Sequence, residues 1–481
     1  MRGTATIINY NANAHGIVSA AGRLSTTEGS ADEIYDRSLH NEDEVNVNLI
    51  RKILSSGHES VLEHIMVNIS FDNVSVYVEQ FMIEFRLASF TVKSRRYVDF
   101  GKAGYVSPDF SKYDGQDRKA LENLYTEHMD YLFDEYNYFV QAGVPKEDAR
   151  FVLPYGFRSN FYCTVNAREL IKIVNEMVYG RGKNFPELVM LGKSLFLQCE
   201  KNLPYLNIEK PQEDTREEIR KYLEQEYARG EAGGQAGNEA SGQAVESVTL
   251  LYGPEHPEQI ICRAAALNSG FAGWAAVDLD REEQQEKIIS ELFKNARKRE
   301  LEQVHFSILF HRVSLAGITH LVRHRMQSIV IPDYVSTCDF EHYVLPESIV
   351  KLGLETRYRQ VFDKSRELVC ILKEKGFDPF DQVYLLLSGL EIPVMTTMNA
   401  NELYTFIRLR TCNRAQWEIK AYADELLSIL RRKHPVLFYL FGPSCYVMGR
   451  CPEGRMSCKK MEEVCRHYGE GKEVRKEKET F

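Results

Sequence analysis

The sequence lacks the features of several protein classes. No run of 18 or more apolar residues occurs in its 481 residues, so no membrane-spanning helix is expected. Lys and Arg number 60 against 69 Asp and Glu, which gives a net charge of −9. Binding to a nucleic-acid backbone needs a large basic face, so neither a nucleic-acid polymer nor a membrane surface is expected as a partner. The first residues lack a secretory-signal layout, and we expect a cytoplasmic protein.

The ten cysteines lack a pairing pattern. The first six are scattered along the chain, which fits reduced thiols in a cytosol. Cys445, Cys451 and Cys458 have five and six residues between them, and Cys465 follows after six more. Thiolates in this number could bind Zn²⁺ or an iron–sulfur cluster. Because the close C-x-x-C pair common in such sites is missing, reduced or packed thiols are the favoured interpretation, and no metal is predicted.

The length and composition predict a globular protein of two or three domains. The hydrophobic fraction of 44% is sufficient to bury a sizeable core. Residues 229–245 read RGEAGGQAGNEASGQAV, without apolar periodicity, and predict a flexible linker. The linker divides the chain into a first part, 1–228, and a second part, 246–440. A cysteine-containing extension, 441–481, ends in a charged stretch, 469–481, for which a solvated tail is expected.

The two parts resemble each other in sequence. Residues 5–8 match residues 248–251 at an offset of 243, and Phe85-Arg86 matches His324-Arg325 at an offset of 239. Further on, Asn166-Ala167 matches Asn399-Ala400 at an offset of 233. Ordered matches at slowly drifting offsets indicate a tandem duplication with small changes in loop length.

Hydrophobic periodicity predicts an α+β fold for each copy. Residues 6–10 and 67–71 have the pattern of strands, whereas 118–142 and 400–430 have that of long amphipathic helices. We therefore expect each copy to contain a small mixed or antiparallel sheet packed with long helices.

Two clusters of basic residues are candidates for anion binding. Arg323, His324 and Arg325 follow an apolar helix in the second copy. A solvated helix end is the alternative, since cations there interact favourably with the helix dipole. In the first copy, Ser94 and Arg96 can present a hydroxyl and a guanidinium side by side, which suits a phosphate. The alternative there is a strand with outward polar residues.

These clusters carry a resemblance to the flavin-dependent thymidylate synthases. That family's signature is RHR, two residues, Ser, four residues, Ser, one residue, Arg. The second copy keeps the front half, RHR-MQ-S, and loses the back half. The first copy reads EFR-LA-S-FTVK-S-R-R, which loses the opening Arg-His but keeps Ser94 and Arg96. The two losses are complementary.

Other segments extend the resemblance over most of both copies. His58-Glu59-Ser60 and Glu63-His64 are similar to an early family segment, and Ala149-Arg150 begins the family's A-R-x-x-L-P. In the second copy, Asn399, Arg410 and residues 415–420, AQWEIK, resemble the family's late block. The first copy has Met177 at the position of Arg410.

The resemblance implies an enzyme that converts dUMP to dTMP at a site whose residues are divided between the copies. FAD would be the cofactor, with NADPH and methylenetetrahydrofolate as co-substrates. Arg410 would be catalytic, and the substrate would be held by Ser94, Arg96, Arg150, Arg323 and Arg410. FAD contacts would come from His64, Arg323, His324, Arg325, Ser328, Asn399, Arg414 and Gln416. A homodimer of tandem chains would reproduce the family's tetramer.

Three departures leave an alternative open. A family glutamate two residues before Ser94 is Val92 here, a glutamine three residues before RHR is His320, and a flavin-contacting histidine is Arg414. A protein that binds a flavin or a pyrimidine nucleotide without turnover, or with altered specificity, is therefore the second hypothesis.

Overall fold

The structure is a computed structural model that describes residues 3–207, 215–228, 247–276 and 279–469. The predicted linker, 229–245, and all but the first residue of the predicted tail, 469–481, lie outside the described residues. Among the described helices, none combines the length and the apolar character needed to cross a membrane.

Among the described residues, each part of the chain contains four strands interspersed with helices. The first part contains β1 (Thr4–Tyr10), α1 (Ala14–Leu24), α2 (Ala31–Leu39), α3 (Asp43–Ser55), β2 (Met66–Ser75), α4 (Val76–Ile83), β3 (Ala88–Val92), α5 (Gly115–Gln141), α6 (Lys146–Ala149), β4 (Arg158–Asn166), α7 (Ala167–Val178), α8 (Pro186–Asn202) and α9 (Arg216–Ala228). The second part contains β5 (Val248–Tyr252), α10 (Pro257–Asn268), α11 (Glu282–Phe293), β6 (His305–Ser314), α12 (Leu315–Leu321), β7 (Gln327–Val330), α13 (Tyr334–Thr337), α14 (Glu347–Lys351), α15 (Glu355–Glu374), β8 (Glu391–Asn399), α16 (Ala400–Arg410), α17 (Trp417–Lys433), α18 (Pro435–Phe438), α19 (Ser444–Met448) and α20 (Met461–Gly469).

Each copy builds an antiparallel sheet of the same topology. The strand orders are β1-β2-β4-β3 and β5-β6-β8-β7. Both central strands carry a break in register at equivalent positions, after Phe71 in β2 and after Phe310 in β6. Alternate side chains of these strands are buried, as the two-residue period of a strand requires. The predicted α+β class is confirmed.

One predicted helix is wrong. The segment 400–430 is two helices, α16 and α17, separated by a loop over residues 411–416. At the end of α16 the Thr411 hydroxyl donates to the carbonyl of Ile407, 2.7 Å away. At the start of α17 the side chain of Gln416 accepts from the backbone N–H of Ile419, 3.0 Å away, and so caps the new helix. Apolar periodicity continues across the loop, and the periodicity alone therefore hid the break.

The described residues form two compact units that do not follow the sequence repeat. One unit comprises Met1–Gln243 with Asp339–Gly389, and the other comprises Ala244–Cys338 with Leu390–Phe481. Helices α14 and α15 belong to the second copy by sequence but pack within the first unit. The boundaries 1–228, 246–440 and 441–481 therefore describe the repeat, and as domain boundaries they remain a prediction.

Within the first unit, α15 packs along α5, its equivalent in the first copy. Arg357 donates to both carboxylate oxygens of Glu135, at 2.6 and 2.9 Å. Between the same two helices, His128 and Ser365 are buried, and His128 Nε2 lies 3.0 Å from Ser365 Oγ. Burial, with the positive charge of Lys364 nearby, lowers the pKa of His128 to about 4, so this ring is neutral at pH 7.

The same unit contains a reciprocal backbone pairing between residues 151–156 and 384–389. Tyr155 N–H donates to Leu386 C=O at 2.7 Å, and Ser388 N–H donates to Leu153 C=O at 2.9 Å. Residues 155 and 388 are equivalent positions of the two copies, as are residues 153 and 386, so the two bonds are copies of each other. A second pair of bonds is related in the same way. The N–H of residue 156 donates to the carbonyl of residue 384, and the N–H of residue 389 donates to the carbonyl of residue 151. The two copies thus meet here about a local two-fold axis.

Two equivalent glycines allow this close approach. A Cβ on Gly156 would lie 2.9 Å from both the Cβ and the carbonyl oxygen of Tyr384. A Cβ on Gly389 would lie 3.0 Å from the Cβ and the carbonyl oxygen of Phe151. The neighbouring atoms include backbone, which cannot move away as the tip of a flexible side chain can. Both positions therefore require the absence of a side chain.

We predict that Gly156→Ala and Gly389→Ala each lower the free energy of unfolding by about 1–3 kcal/mol, the usual cost of overpacking a dense core. Urea unfolding followed by circular dichroism measures the loss, and hydrogen exchange over residues 151–157 and 384–390 locates it. Gly469→Ala is the control, because the nearest atom to a Cβ there is 3.9 Å away. If the Gly389→Ala protein were as stable as the control, this position would not require the absence of a side chain.

Candidate functional site

The basic loop of the second copy follows directly from the end of α12. This helix is capped at its start by Ser314, whose hydroxyl accepts from the N–H of Gly317 at 2.8 Å. Every residue of α12 is buried, and the chain then turns through Arg323, His324 and Arg325 before entering β7. His324 is only 4% exposed, whereas both arginines are exposed. The buried histidine anchors the loop and leaves the arginines at the surface.

His324 lies against one face of α16. Its Nδ1 is 2.9 Å from Glu402 Oε1, and its Nε2 is 2.9 Å from Nε of Arg410. Between these two polar neighbours the ring packs edge-on against Phe406, with 5.1 Å between ring centroids. Arg410 also donates from Nη2 to the carbonyl of His320, 2.9 Å away. The structure thus brings together two of the predicted site residues, His324 and Arg410.

Of three further predicted cofactor residues, Asn399 and Gln416 cap helices and Arg414 is exposed in a loop. The side chain of Asn399 accepts from the N–H of Glu402 at 2.8 Å and caps α16. Gln416, which is 1% exposed, caps α17. Arg414 is exposed in the loop between these helices. The side chains of Asn399 and Gln416 are each oriented by the hydrogen bond that caps a helix.

The loop after α16 is tied to the start of α12. Glu418, in the first turn of α17, accepts from the backbone N–H of Ser314 at 2.7 Å and from its hydroxyl at 2.6 Å. Gln327 donates to the carbonyl of Leu321 at 2.6 Å and so fixes the far end of the basic loop. The neighbouring Ser328 is exposed on β7. The 323–328 segment is therefore held at both ends by buried polar bonds.

In the first unit, Ser94 and Arg96 lie in a loop just beyond the end of β3. The backbone N–H of Arg96 approaches Ser94 Oγ at 3.4 Å, and the N–H of Val98 donates to the carbonyl of Ser94 at 2.9 Å. The segment is a turn, so the alternative of a strand with outward polar residues is wrong for these positions. Val92 is the last residue of β3.

Arg95, between Ser94 and Arg96, anchors this loop. Arg95 is buried and donates from Nη2 to Glu79 Oε1 at 2.8 Å. Glu79, on α4, also accepts from the hydroxyl of Ser159 on β4. Because a buried carboxylate needs both charge and hydrogen-bond compensation, this group fixes the turn against the sheet.

Arg96 and Arg150 converge on one residue, Glu147. Arg96 Nε lies 2.9 Å from the carboxylate of Glu147, and Arg150 Nε donates to its backbone carbonyl at 3.0 Å. Arg150 is 2% exposed, whereas the Arg96–Glu147 pair is half-buried. Two of the predicted substrate ligands, Arg96 and Arg150, thus contact the same residue, and an anion that approaches Arg96 competes with the Glu147 carboxylate.

His64 stands apart from this group. It is exposed at the end of a 3₁₀ turn, Glu59–His64, in the first unit. Arg168 pairs with Glu63 at 2.6 Å and with Glu59 at 3.6 Å beside it.

The cysteines are all free thiols. Asn413 Nδ2 lies 3.9 Å from Cys458 Sγ, which places the C-terminal extension beside the loop between α16 and α17. Within the described ranges, no group of three or more His, Cys, Asp or Glu side chains is arranged to hold a metal ion.

Sequence reasoning missed three carboxylates that organise these residues: Glu79, Glu147 and Glu402. One signal was available for Glu402, because it stands three residues after an asparagine that begins a helix. Glu79 lies in an apolar helix and pairs with a residue 16 positions away, which no local pattern reveals.

A family model matches both copies. The model described as "Thymidylate synthase complementing protein" matches residues 6–205 and 249–436. The matches cover well over half of the chain. The chain therefore belongs to this family, and the predicted family is confirmed.

Individual relatives agree with this assignment. A flavin-dependent thymidylate synthase of Clostridium tetani is 32% identical over 244 residues, which are 46% of this chain and 96% of the relative. One of Geobacter sulfurreducens is 32% identical over 238 residues, which are 46% of this chain and 98% of the relative. One of Sulfolobus acidocaldarius is 33% identical over 202 residues, with 40% of this chain and 74% of the relative covered. The family is thus one of methyltransferase-type enzymes, as predicted.

Among solved structures, a UMP/dUMP methylase, PolB, of Streptomyces cacaoi bound with 5-Br dUMP is similar to part of the chain. The identity is 22%, the TM-score is 0.36, and 42% of this chain and 92% of that chain are covered.

We predict that Glu79→Leu lowers the free energy of unfolding by about 3–5 kcal/mol, because it leaves the Arg95 guanidinium buried without its carboxylate. Urea unfolding measures the loss. The double variant Glu79→Leu with Arg95→Met removes both charges and should recover a large part of the stability. A single variant as stable as the parent protein would show that this pair does not anchor the turn.

Proposed function

We propose that the chain is a flavin-dependent thymidylate synthase that converts dUMP to dTMP. FAD is the proposed cofactor, NADPH the proposed reductant and methylenetetrahydrofolate the proposed carbon donor. The observation that carries this proposal is the match of both copies to one family, together with relatives above 30% identity that are named for this activity. Cytoplasmic location and a homodimer of tandem chains remain predictions.

The proposed nucleotide ligands are divided between the copies. Ser94, Arg96 and Arg150 of the first copy and Arg323 of the second would hold the phosphate. The contacts of Arg96 with the Glu147 carboxylate and of Arg150 with the backbone carbonyl of the same residue support this role, since they place two guanidiniums beside one residue. Because Arg96 is half-buried, a phosphate oxygen on it would be shielded in part from water, and the charge-assisted bonds would be correspondingly stronger.

Arg410 is the proposed catalytic residue. Its guanidinium would donate to the pyrimidine edge and stabilise negative charge that develops on the uracil as C5 becomes nucleophilic. The bonds of Arg410 to His324 and to the carbonyl of His320 support this role, because they orient the guanidinium before substrate arrives.

The residues around the basic loop suit the chemistry of a flavin nucleotide. Arg323 and Arg325 are exposed on either side of the buried His324, and cationic donors of this kind match a pyrophosphate. Ser328 and Arg414, also exposed, would add donors, while Asn399, Gln416 and His64 remain proposed contacts. When bound, FAD supplies the hydride transfer, and the protein supplies position and electrostatics.

We predict that protein loaded with FAD releases tritium from [5-³H]dUMP in the presence of NADPH and methylenetetrahydrofolate. Arg96→Ala and Arg410→Ala should each lower the rate by about 100-fold or more, because each removes a charged donor to the nucleotide. Arg410→Ala should still retain some FAD. The control is Arg359→Ala, which removes an exposed arginine that pairs with Glu355 and lies 3.5 Å from the hydroxyl of Tyr343.

Tritium release that persists in the Arg410→Ala protein would remove this residue from the mechanism. No release from parent protein that holds FAD would contradict the dUMP assignment. That result would favour the second hypothesis, a flavin or pyrimidine-nucleotide-binding protein without this turnover.

A further inference from the structure

The hydrogen bonds around His324 define which of its nitrogens carries a proton. An arginine Nε can only donate, so His324 Nε2, 2.9 Å from Arg410 Nε, must accept. The imidazole hydrogen therefore lies on Nδ1, from which it is donated to Glu402 Oε1 at 2.9 Å. An imidazolium has no accepting nitrogen and could not hold Arg410 in this way. The observed arrangement requires a neutral Nδ1–H ring.

The charges that face the ring agree with this state. Burial lowers the pKa of His324, and the positive charges of Arg410 and Arg323 lower it further, whereas Glu402 raises it. Glu402 and Arg410 approach from α16, and Arg323 belongs to the loop that carries the histidine. Because the net shift is downward, the neutral ring is the dominant form at pH 7.

Helix α16 places three side chains against the ring of His324 from a single stripe. Residues 402, 406 and 410 are four apart and lie above one another on one helix face. Glu402 touches Nδ1, Phe406 packs on the ring edge, and Arg410 touches Nε2. Asn399 fixes the backbone of Glu402 by capping the helix. The histidine is thus clamped between two helical positions eight residues apart.

The first copy has an equivalent of Glu402 but no equivalent of His324 or Arg410. Glu169, equivalent to Glu402, stands on α7 with the same asparagine cap, Asn166, at 2.9 Å. At the positions of His324 and Arg410 the first copy has Phe85 and Met177, and Met177 is fully buried. Glu169 there approaches Lys172 at 3.5 Å. The histidine and the arginine are therefore present together in one copy and absent together in the other, as expected for a functional pair.

We propose that Glu402 is a positioning residue, which holds His324 as the Nδ1–H tautomer so that Nε2 fixes the guanidinium of Arg410 toward the pyrimidine. The inference rests on the proposed function for the role of Arg410, but the arrangement itself is independent of turnover. Without the carboxylate, the ring is free to carry its hydrogen on Nε2, and Arg410 then loses its acceptor. Glu402 is proposed not to touch substrate or cofactor.

The test uses the full chain loaded with FAD and three variants. Glu402→Ala should lower kcat for dUMP by about 10- to 100-fold, the size of the loss seen when the hydrogen-bond partner that orients a metal-bound histidine is removed. Glu402→Gln keeps an accepting oxygen for Nδ1–H and should lose only a few-fold. Glu169→Ala is the matched control, because it removes the equivalent glutamate from the copy that has neither histidine nor arginine, and it should leave kcat unchanged.

The pH profile separates positioning from a merely structural role. As pH falls, His324 gains a proton, releases Arg410 and turnover declines. Glu402→Gln removes the charge that raises the pKa of His324, so this acid limb should move to lower pH. An acid limb at the same pH in the variant would overturn the proposal.

A readout without turnover separates this inference from the proposed function. In protein labelled with ¹⁵N-histidine, two-dimensional spectra identify the tautomer, and His324→Gln assigns the signal. We expect the Nδ1–H form at pH 7.5 in the parent protein and its loss in Glu402→Ala. This result would support the inference even if dUMP were not turned over. An imidazolium or Nε2–H form in the parent protein, or an unchanged tautomer in Glu402→Ala, would overturn it.

Discussion

The backbone of residues 151–156 is buried, and its hydrogen-bond partner is the equivalent segment of the second copy, 384–389. Unpaired N–H and C=O groups away from water are costly, so these reciprocal bonds stabilise the pairing of the two segments within the first unit. The glycines at 156 and 389 permit the approach, and α5 with α15 extends it. Because Arg150 immediately precedes this paired segment, the pairing also fixes the position of one proposed phosphate ligand.

The two copies carry different sets of the proposed site residues. The first copy keeps Arg96 beside Arg150 but has apolar Phe85 and Met177 where the second has His324 and Arg410. A glutamate lies beside each retained pair: Glu147 meets Arg96 through its carboxylate and Arg150 through its backbone carbonyl, and the Glu402 carboxylate contacts His324. The equivalent helices α7 and α16 keep their asparagine caps, although the proposed ligands near them differ.

The sequence predicted what depends on local pattern and repeat. Alternating apolar residues predicted the strands, and matches at regular offsets predicted the duplication. The family motifs indicated Arg96, Arg150 and Arg410 as site residues. It did not predict the break at 411–416, because apolar periodicity runs across it and only the Gln416 cap marks the new helix. Nor did it predict Glu79 or the inclusion of residues 339–389 in the first unit, since both depend on contacts between distant positions.

The central proposal is that one chain carries a single complete set of nucleotide ligands, divided between its copies. The most direct test is the stoichiometry of dUMP binding to the FAD-loaded chain, measured by isothermal titration calorimetry with the chain concentration fixed by amino-acid analysis. The account predicts one dUMP per chain. Two dUMP per chain would show that each copy builds a site of its own and would contradict the division of ligands.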